Sequence, residues 1–195
     1  RYGSVLVGLL TDQAITSYRK LPHLNYQQRE VILKNIRYVK KVVEQTTLDY
    51  SKNLIKYKPN YVVHGDDWKF GIQKNTRAKV IKILRKWSGK LIEIPYSKNI
   101  KAENLKVKEL KTGTTPDIRK SKLSRLMEAK DIVRILETHS PLSAMIAQNI
   151  TYTNKNNIKF EFDGFWSSSL TDSTLRGKPD IEILDLRDRL QNIND

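Results

Sequence analysis

The chain has 195 residues, which is enough for one large domain or two small ones. It contains no cysteine, which excludes disulfides, thiolate metal sites and cysteine nucleophiles and is typical of a cytoplasmic protein. The formal net charge is +15, but the basic excess lies in residues 1–130, whereas residues 131–195 carry more acidic than basic side chains. Such asymmetry predicts two units with different partners.

The sequence also restricts what those partners are. No apolar run approaches the length of a membrane span and no signal-peptide pattern is present, so we expect no membrane partner. The basic excess would suit nucleic acid or a nucleoside triphosphate. Nucleic acid is the less favoured of the two, because no RNA-recognition signature, zinc-finger spacing or arginine-rich arm accompanies the charge. Since the chain begins at Arg1 and opens almost directly on a strand pattern, we expect a fragment of a longer protein.

Strand and helix patterns alternate along residues 1–100. Short apolar runs predict strands over residues 5–10, 39–43, 61–64 and 91–94. Apolar positions at helical spacing predict helices over residues 26–40, 48–57 and 76–87. Alternation at this spacing predicts an α/β fold with a parallel sheet built from β-α-β units.

The pattern changes after residue 100. Residues 101–120 are polar and rich in lysine, and we interpret them as a linker. Beyond the linker the pattern predicts helices over residues 121–138 and 141–149 and a strand with a serine-rich end over residues 160–170. The predicted organisation is therefore a first domain over residues 1–100, a linker over residues 101–120 and a second domain over residues 121–195.

The most informative motif is the run Tyr-Val-Val-His-Gly-Asp-Asp-Trp at residues 61–68. An apolar strand there continues into Gly65, Asp66 and Asp67, which places two carboxylates at the carboxyl edge of a sheet, where open α/β folds bind ligands. Gly65 would allow close backbone approach or a positive φ angle, and Trp68 offers a flat face for stacking. The alternative is a strand-to-loop turn with two solvated aspartates.

The segment HGDDW resembles the GDDW segment of the glycerol-3-phosphate cytidylyltransferase family. Upstream, the run from Tyr26 to Val43 resembles a family helix that carries an Arg-x-x-x-(Ile/Leu) step. VLVGLLTDQA, at residues 5–14, is similar to the family's second strand, and RKLP, at residues 19–22, is similar to its basic phosphate-binding loop. The resemblance covers residues 1–100. It implies a Rossmann-like sheet whose first strand is missing from this chain, with CTP as co-substrate and Mg²⁺ as cofactor.

The same resemblance implies roles for individual side chains. Cytidylyl transfer places negative charge on the transferring phosphorus and on the departing pyrophosphate, so nearby cations would stabilise the transition state. The candidates for this catalytic role are Arg19, Lys20, Arg29 and Arg37. The candidates for nucleotide binding are Gly65, Asp66, Asp67 and Trp68, of which Asp66 would position the nucleotide or a magnesium ion. For each arginine taken singly, an exposed charge on a helix face is the alternative.

Two departures from the family pattern bear on activity. The family's His-x-Gly-His motif is absent from this chain. Its Gly-(Ile/Val)-Ser-(Ser/Thr)-Thr segment is replaced at residues 99–103, where the hydroxyl groups are gone and Glu103 adds negative charge. We therefore expect that the chain by itself does not catalyse.

A second resemblance begins near the linker. Glu137, His139 and the Leu-Ser-Ala run at residues 142–144 are similar to the start of phosphoenolpyruvate mutase domains, as is FWSSSL at residues 165–170. The resemblance implies the first elements of an α/β barrel whose substrate is phosphoenolpyruvate. The residues that it implies for the substrate pocket are Trp166, Ser168, Ser169 and Leu170. A polar loop is the alternative for the serines.

Together the two resemblances predict a fragment of a bifunctional enzyme of phosphonate biosynthesis. One domain would isomerise phosphoenolpyruvate to phosphonopyruvate, and the other would transfer CMP from CTP to a phosphonate or phosphate acceptor. Two alternatives stay open, namely a stand-alone polyol-phosphate cytidylyltransferase and a degenerate, non-catalytic nucleotide-binding scaffold. A homo-oligomer is also compatible with the sequence, since an incomplete barrel would expose apolar edges.

Overall fold

The computed structural model describes residues 3–95, 115–155, 157–180 and 187. The chain forms two compact units, Arg1–Lys130 and Asp131–Asp195. Both units combine helices with small sheets, and three of the four strand pairs in the described ranges are parallel, so the predicted α/β class is confirmed. None of the helices in the described ranges is long and apolar enough to cross a membrane.

The first unit alternates strands and helices as the sequence predicts. Its strands are β1 (Val5–Leu10), β2 (Val39–Gln45), β3 (Tyr61–Gly65) and β4 (Lys90–Ile94). Its helices are α1 (Asp12–Thr16), α2 (Tyr26–Lys34), α3 (Ser51–Tyr57), α4 (Lys74–Leu84) and α5 (Pro116–Ala129). Short 3₁₀ turns flank α4, at Asp66–Lys69, Gly71–Gln73 and Arg85–Trp87.

The strands of the first unit form two parallel pairs. β1 pairs with β2, with Leu10 opposite Gln45, and β3 pairs with β4, with Gly65 opposite Ile94. Each pair therefore presents its own carboxyl edge. The predicted parallel pairing is confirmed, whereas the strands in the described ranges do not join into a single Rossmann-like sheet.

A small core connects α3, α4 and the turn after β3. Val80 and Leu84 lie one turn apart on α4, and both pack with Leu54 of α3 and with Trp68. Residues four positions apart share a helix face, which is why these two side chains are buried together. The core holds the segment that follows β3 against α4.

Helix α2 is shorter than predicted. Asn25 caps its start in a capping box, but the helix ends at Lys34 rather than near residue 40. Tyr38 takes a positive φ of 79°, a conformation that interrupts a right-handed helix. The β-branched run that follows pairs with β1 as strand β2. The other predicted elements of residues 1–95 differ from the observed bounds by three residues or fewer.

Helix α5 replaces most of the helix that the sequence predicts over residues 121–138. It starts earlier, at Pro116, since the fixed φ and missing amide of proline suit the first helical turn. It ends at Ala129, because Lys130 is extended, with φ −134°. Residues 101–114 of the predicted linker lie outside the described ranges. Helix α5 belongs to the first unit. The predicted boundary between the two domains stays a prediction.

The second unit contains a parallel strand pair and a hairpin. Its elements are β5 (Ile135–Thr138), α6 (Pro141–Asn149), β6 (Tyr152–Thr153), β7 (Lys159–Phe160), β8 (Gly164–Ser167) and α7 (Ser169–Leu175). β5 pairs in parallel with β8, and β6 pairs in antiparallel with β7. The helix predicted over residues 141–149 is confirmed, with Ser140 as its cap.

The strand predicted over residues 160–170 is wrong as a single element. Its first residue ends the hairpin, and its last part is helical. Ser168 caps α7, because its Oγ accepts a hydrogen bond from the Thr171 amide at 3.4 Å. Only residues 164–167 of the predicted strand lie in β8.

Candidate functional site

A carboxylate held by two arginines lies just beyond the carboxyl end of β1. Asp12 Oδ1 accepts from Arg29 Nη2 at 2.5 Å, and its Oδ2 accepts from Arg125 Nη2 at 3.1 Å. The side chains of Asp12, Arg29 and Arg125 are 19%, 16% and 14% exposed. Because solvent screens these charges only partly, the cluster contributes more than an exposed ion pair would.

Arg29, a predicted catalytic residue, is engaged with the protein itself. Besides Asp12, it donates from Nη1 to the carbonyl of Leu10 at 2.8 Å and from Nε to the carbonyl of Leu24 at 3.2 Å. It therefore links the end of β1 to the end of the loop over residues 17–25, which connects α1 with α2. In this conformation Arg29 holds that loop.

Arg125 of α5 holds the same loop from another direction. It donates from Nη2 to the carbonyl of Pro22 at 2.9 Å and from Nη1 to the carbonyl of His23 at 2.7 Å. A second contact fixes α5 to α1, where Thr16 Oγ1 donates to the Ala129 carbonyl at 2.8 Å. Arg125 was not predictable as a site residue, because nothing in the sequence pairs it with a loop about 100 residues earlier.

Arg19 and Lys20 lie on this loop, whereas Arg37 does not lie near it. Arg19 and Lys20 are exposed, and the Arg19 guanidinium lies 5.3 Å from the ring centroid of Tyr18. Arg37 precedes β2 and stacks on Tyr38 at 4.9 Å. The strand places it about 20 Å from the carboxyl edge, at roughly 3.3 Å per residue. The structure therefore groups Arg19, Lys20 and Arg29 and leaves Arg37 at the opposite edge.

The carboxyl end of β3 is organised around a ring stack. The His64 ring lies parallel to that of Trp68, with centroids 3.9 Å apart and an interplanar angle of 7°. His64 Nδ1 lies 2.8 Å from the Gly65 carbonyl and must donate to it, so Nε2 is the acceptor that faces the Tyr50 hydroxyl at 3.4 Å. Gly65 has a φ of −64°, so of the two possibilities considered for this glycine the positive φ does not apply.

Trp68 packs in the core rather than on the surface. It is 1% exposed, and its Nε1 donates to Glu93 Oε1 at 2.7 Å. Arg77 completes this arrangement with two hydrogen bonds to the same carboxylate, at 2.8 and 3.0 Å. Since His64 and the core cover the indole, Trp68 supports the Gly65–Asp67 turn and does not present a free face to a base.

Tyr50 lies beside the ring stack at the end of β3, with its ring centroid 6.2 Å from that of His64 and 6.1 Å from that of Trp68. Its pKa is raised to about 12, first by burial and then by the electrostatic effects of Tyr18 and Asp67. Tyr18 is the neighbour of Arg19, and Asp67 belongs to the β3 turn.

Asp66 and Asp67 form the first turn of the 3₁₀ segment after β3. The side chain of Asp67 is about half exposed and lies 3.9 Å from His64 Nδ1. No group of three or more His, Asp or Glu side chains that would hold a metal ion occurs within the described ranges. Mg²⁺ in nucleotide sites commonly takes only one or two carboxylates together with substrate phosphates, and the Asp66–Asp67 pair fits that pattern.

The Glu93 carboxylate makes the first unit sensitive to acid. The hydrogen bonds from Arg77, and then that from Trp68, hold the pKa of Glu93 at about 2, below its usual 4.5. Because the pKa is depressed in the folded state, the stabilisation is present above pH 4.5 and is lost as the pH falls toward 2.

Thermal unfolding measured from pH 6 to pH 2 should therefore show a falling midpoint below about pH 4.5. Asp49, whose pKa is lowered to about 2 mainly by its hydrogen bonds from Lys79 and Ser51, acts over the same window. Glu93→Gln should consequently flatten the profile only in part. A profile for Glu93→Gln with the same slope as that of the unmodified chain would contradict this assignment.

The predicted mutase residues gather at the carboxyl edge of the β5–β8 pair. Trp166 is 61% exposed on β8, Ser168 caps α7, and Ser169 and Leu170 begin that helix. Opposite Trp166 on β5, Glu137 accepts a hydrogen bond from Thr171, and this contact and one from Ser168 lower the Glu137 pKa. The edge thus combines hydroxyl groups with a carboxylate and an exposed indole.

A cavity of about 640 Å³ lies elsewhere in the first unit, between β2 and α3. Its lining includes Lys41, Lys52, Lys56 and Tyr57. None of the predicted site residues lines it, although its lining includes Gln45, Thr46 and Thr47 at the carboxyl end of β2.

Comparison with models of known protein families gives no match, and comparison with curated proteins gives none either. The replaced family segment at residues 99–103 lies outside the described ranges. Asp12, Tyr50 and Glu93, like Arg125, have no site role predicted from the sequence. Asp12 was recognisable as a polar residue at a strand end, whereas Tyr50 and Glu93 acquire their roles only through packing.

Proposed function

We propose that the intact protein is a cytidylyltransferase joined to a phosphoenolpyruvate mutase, and that the first unit of this chain forms most of the transferase site. In this proposal β1–β2 and β3–β4, which are separate pairs here, are the halves of one Rossmann-like sheet whose missing first strand would lie between them, and β5, α6 and β8 begin an α/β barrel. A phosphonate or phosphate oxygen attacks the α-phosphorus of CTP. The bond from that phosphorus to the oxygen bridging to the β-phosphate breaks, and pyrophosphate leaves.

The observation that carries the proposal is the placement of two charged groups at strand ends, because Arg29 joins the loop over residues 17–25 to the carboxyl end of β1, and Asp66 and Asp67 follow the carboxyl end of β3. It supports a common site for the exposed cations of the loop and the carboxylates of the β3 turn. Arg19 and Lys20 would bind the triphosphate, because guanidinium and ammonium groups form charge-assisted hydrogen bonds with phosphate oxygens. When Mg²⁺ is bound, it neutralises phosphate charge, and Asp66 and Asp67 are the residues that would hold it.

In the second unit, the side chains at the carboxyl edge of the β5–β8 pair support the mutase half of the proposal. Ser168 and the first turn of α7 would bind the phosphate of phosphoenolpyruvate, and Trp166 would cover the substrate. Glu137 orients the Thr171 and Ser168 hydroxyls, to which it is hydrogen bonded.

One observation favours the non-catalytic scaffold as a second candidate. Arg29 donates to Asp12 and to two backbone carbonyls, so it is not available to a phosphate without breaking those bonds. In a scaffold, nucleotide binding would persist through Arg19 and Lys20 without turnover.

Titration of Mg²⁺–CTP into this chain, with Mg²⁺–ATP as the second nucleotide, tests the nucleotide site. The double substitution Arg19→Ala with Lys20→Ala should weaken CTP binding by roughly tenfold or more, because a hydrogen bond to a charged group contributes about 1.5–3 kcal/mol. The matched control is Lys86→Ala, an exposed lysine before β4, at the amino edge of its strand pair. Equal weakening by both variants would mean binding to diffuse charge and would contradict the proposed site.

A further inference from the structure

We infer that Arg125 is a positioning residue for the loop over residues 17–25, which carries Arg19 and Lys20. Helix α5 would then contribute to the nucleotide site. The expected effect on catalysis rests on the proposed function, whereas the hydrogen bonds from Arg125 to the loop do not depend on it. α5 begins within the segment that the sequence predicts to be a linker, and no residue of α5 belongs to the predicted transferase site.

The first step concerns the backbone of the loop. The three successive carbonyls of residues 22–24 all accept hydrogen bonds from guanidinium groups, the first two from Arg125 and the third from Arg29. Few other conformations of the loop would keep all three of these hydrogen bonds. Its geometry is therefore set by side chains from α2 and α5.

The second step concerns charge. Two guanidinium groups close to the same loop would repel each other, and Asp12 lies between them and accepts from both. Its position at the start of α1 fixes the pair relative to the end of β1. Arg125 thus binds the loop and Asp12 at once, which requires the forked donor geometry of arginine. A lysine at this position would supply the charge and three N–H donors, but all from one nitrogen rather than from the two ends of a planar fork.

The third step connects the loop to binding. Arg19 and Lys20 precede the three held carbonyls by only a few residues. Ordering a flexible loop on binding reduces affinity, because each immobilised residue loses conformational entropy. A loop that is already ordered by Arg125 avoids this loss. Removing Arg125 should consequently raise the KM for the nucleotide and lower kcat to a smaller extent, since the loop cations would still be present.

The test combines hydrogen exchange with kinetics of the intact protein. Arg125→Ala is expected to speed amide exchange of residues 17–24 by about tenfold or more while amides of β3 and β4 keep their protection. The KM for CTP should rise by about tenfold. Arg125→Lys should restore part of both effects, and it also serves if Arg125→Ala fails to fold. Lys122→Ala, an exposed lysine one turn away on α5, should change neither readout.

The outcomes separate the inference from the proposed function. Unchanged exchange of residues 17–24 in folded Arg125→Ala or Arg125→Lys would overturn the inference. An equal loss of protection throughout the first unit would also overturn it, because Arg125 would then be a general stabilising residue. Faster exchange of the loop alone, in a protein that releases no pyrophosphate with any nucleotide, would support the positioning role and reject the transferase.

Discussion

Trp68→Ala should lower the free energy of unfolding by about 4 kcal/mol, as measured by denaturant titration of the first-unit signal. The indole is 1% exposed and packs on Leu54, Val80 and Leu84, so truncation removes a large buried area and leaves a cavity. The substitution also removes one of the hydrogen bonds to Glu93 and the ring on which His64 stacks. The turn that carries Asp66 and Asp67 should lose its support in the same variant.

Two further variants separate packing from hydrogen bonding. Trp68→Phe keeps an aromatic ring but has no Nε1 donor, and we expect a smaller loss of about 1–2 kcal/mol. Phe70→Ala is the exposed control, since Phe70 is 79% exposed and its removal should change the stability by no more than about 0.5 kcal/mol. Equal losses for Trp68→Ala and Phe70→Ala would contradict a core role for the indole.

Asp12→Ala should destabilise the first unit by about 3 kcal/mol, because it leaves Arg29 and Arg125 partly buried without their shared carboxylate. Both guanidinium groups would keep their backbone acceptors but would repel each other across the vacated position. Asp12→Asn keeps one acceptor oxygen, and its NH₂ group cannot accept from the second arginine, so its loss of stability should lie between those of the unmodified chain and Asp12→Ala. Chemical denaturation at low ionic strength measures the difference, and added salt should reduce it in part.

The matched control for this cluster is Glu30→Ala on α2. Glu30 pairs with Lys34 at 3.0 Å, but the lysine side chain is 54% exposed, and such pairs contribute about 0.3–0.5 kcal/mol. A loss for Asp12→Ala no larger than that for Glu30→Ala would show that the carboxylate does not hold the two arginines together.

The strands and most helices of residues 1–95 were predictable because their signals are local. Short apolar runs with turn residues between them identify β1, β3 and β4, and helical spacing of Val80 and Leu84 identifies α4. α6 was predictable because Ser140 and Pro141 mark a helix start. The end of α2 was not predictable, since its apolar pattern continues into β2 and only a short turn over residues 35–38, with Tyr38 at positive φ, separates the two.

The contacts that build the candidate site were less predictable, because they join residues far apart in the chain. Arg125 and Asp12 are separated by 113 positions, and no local pattern signals their pairing. Trp68 shows that a local pattern can also suggest a role that tertiary contacts rule out. Its position beside two aspartates favoured a surface role, but burial by α3 and α4 gives it a packing role instead. The motif at residues 61–68 indicates where the candidate site lies, whereas tertiary contacts decide which of the motif's side chains are accessible.

Pyrophosphate release by the intact protein tests the central claim most directly. The protein would receive Mg²⁺ and CTP with a small phosphonate or with glycerol 3-phosphate, and ATP would replace CTP as the control. The account predicts release with CTP and a phosphonate or phosphate acceptor, little release with ATP, and a large loss in the Arg19→Ala, Lys20→Ala double variant. No release with any pair, from a protein that still isomerises phosphoenolpyruvate, would contradict it and leave the first unit as a nucleotide-binding scaffold.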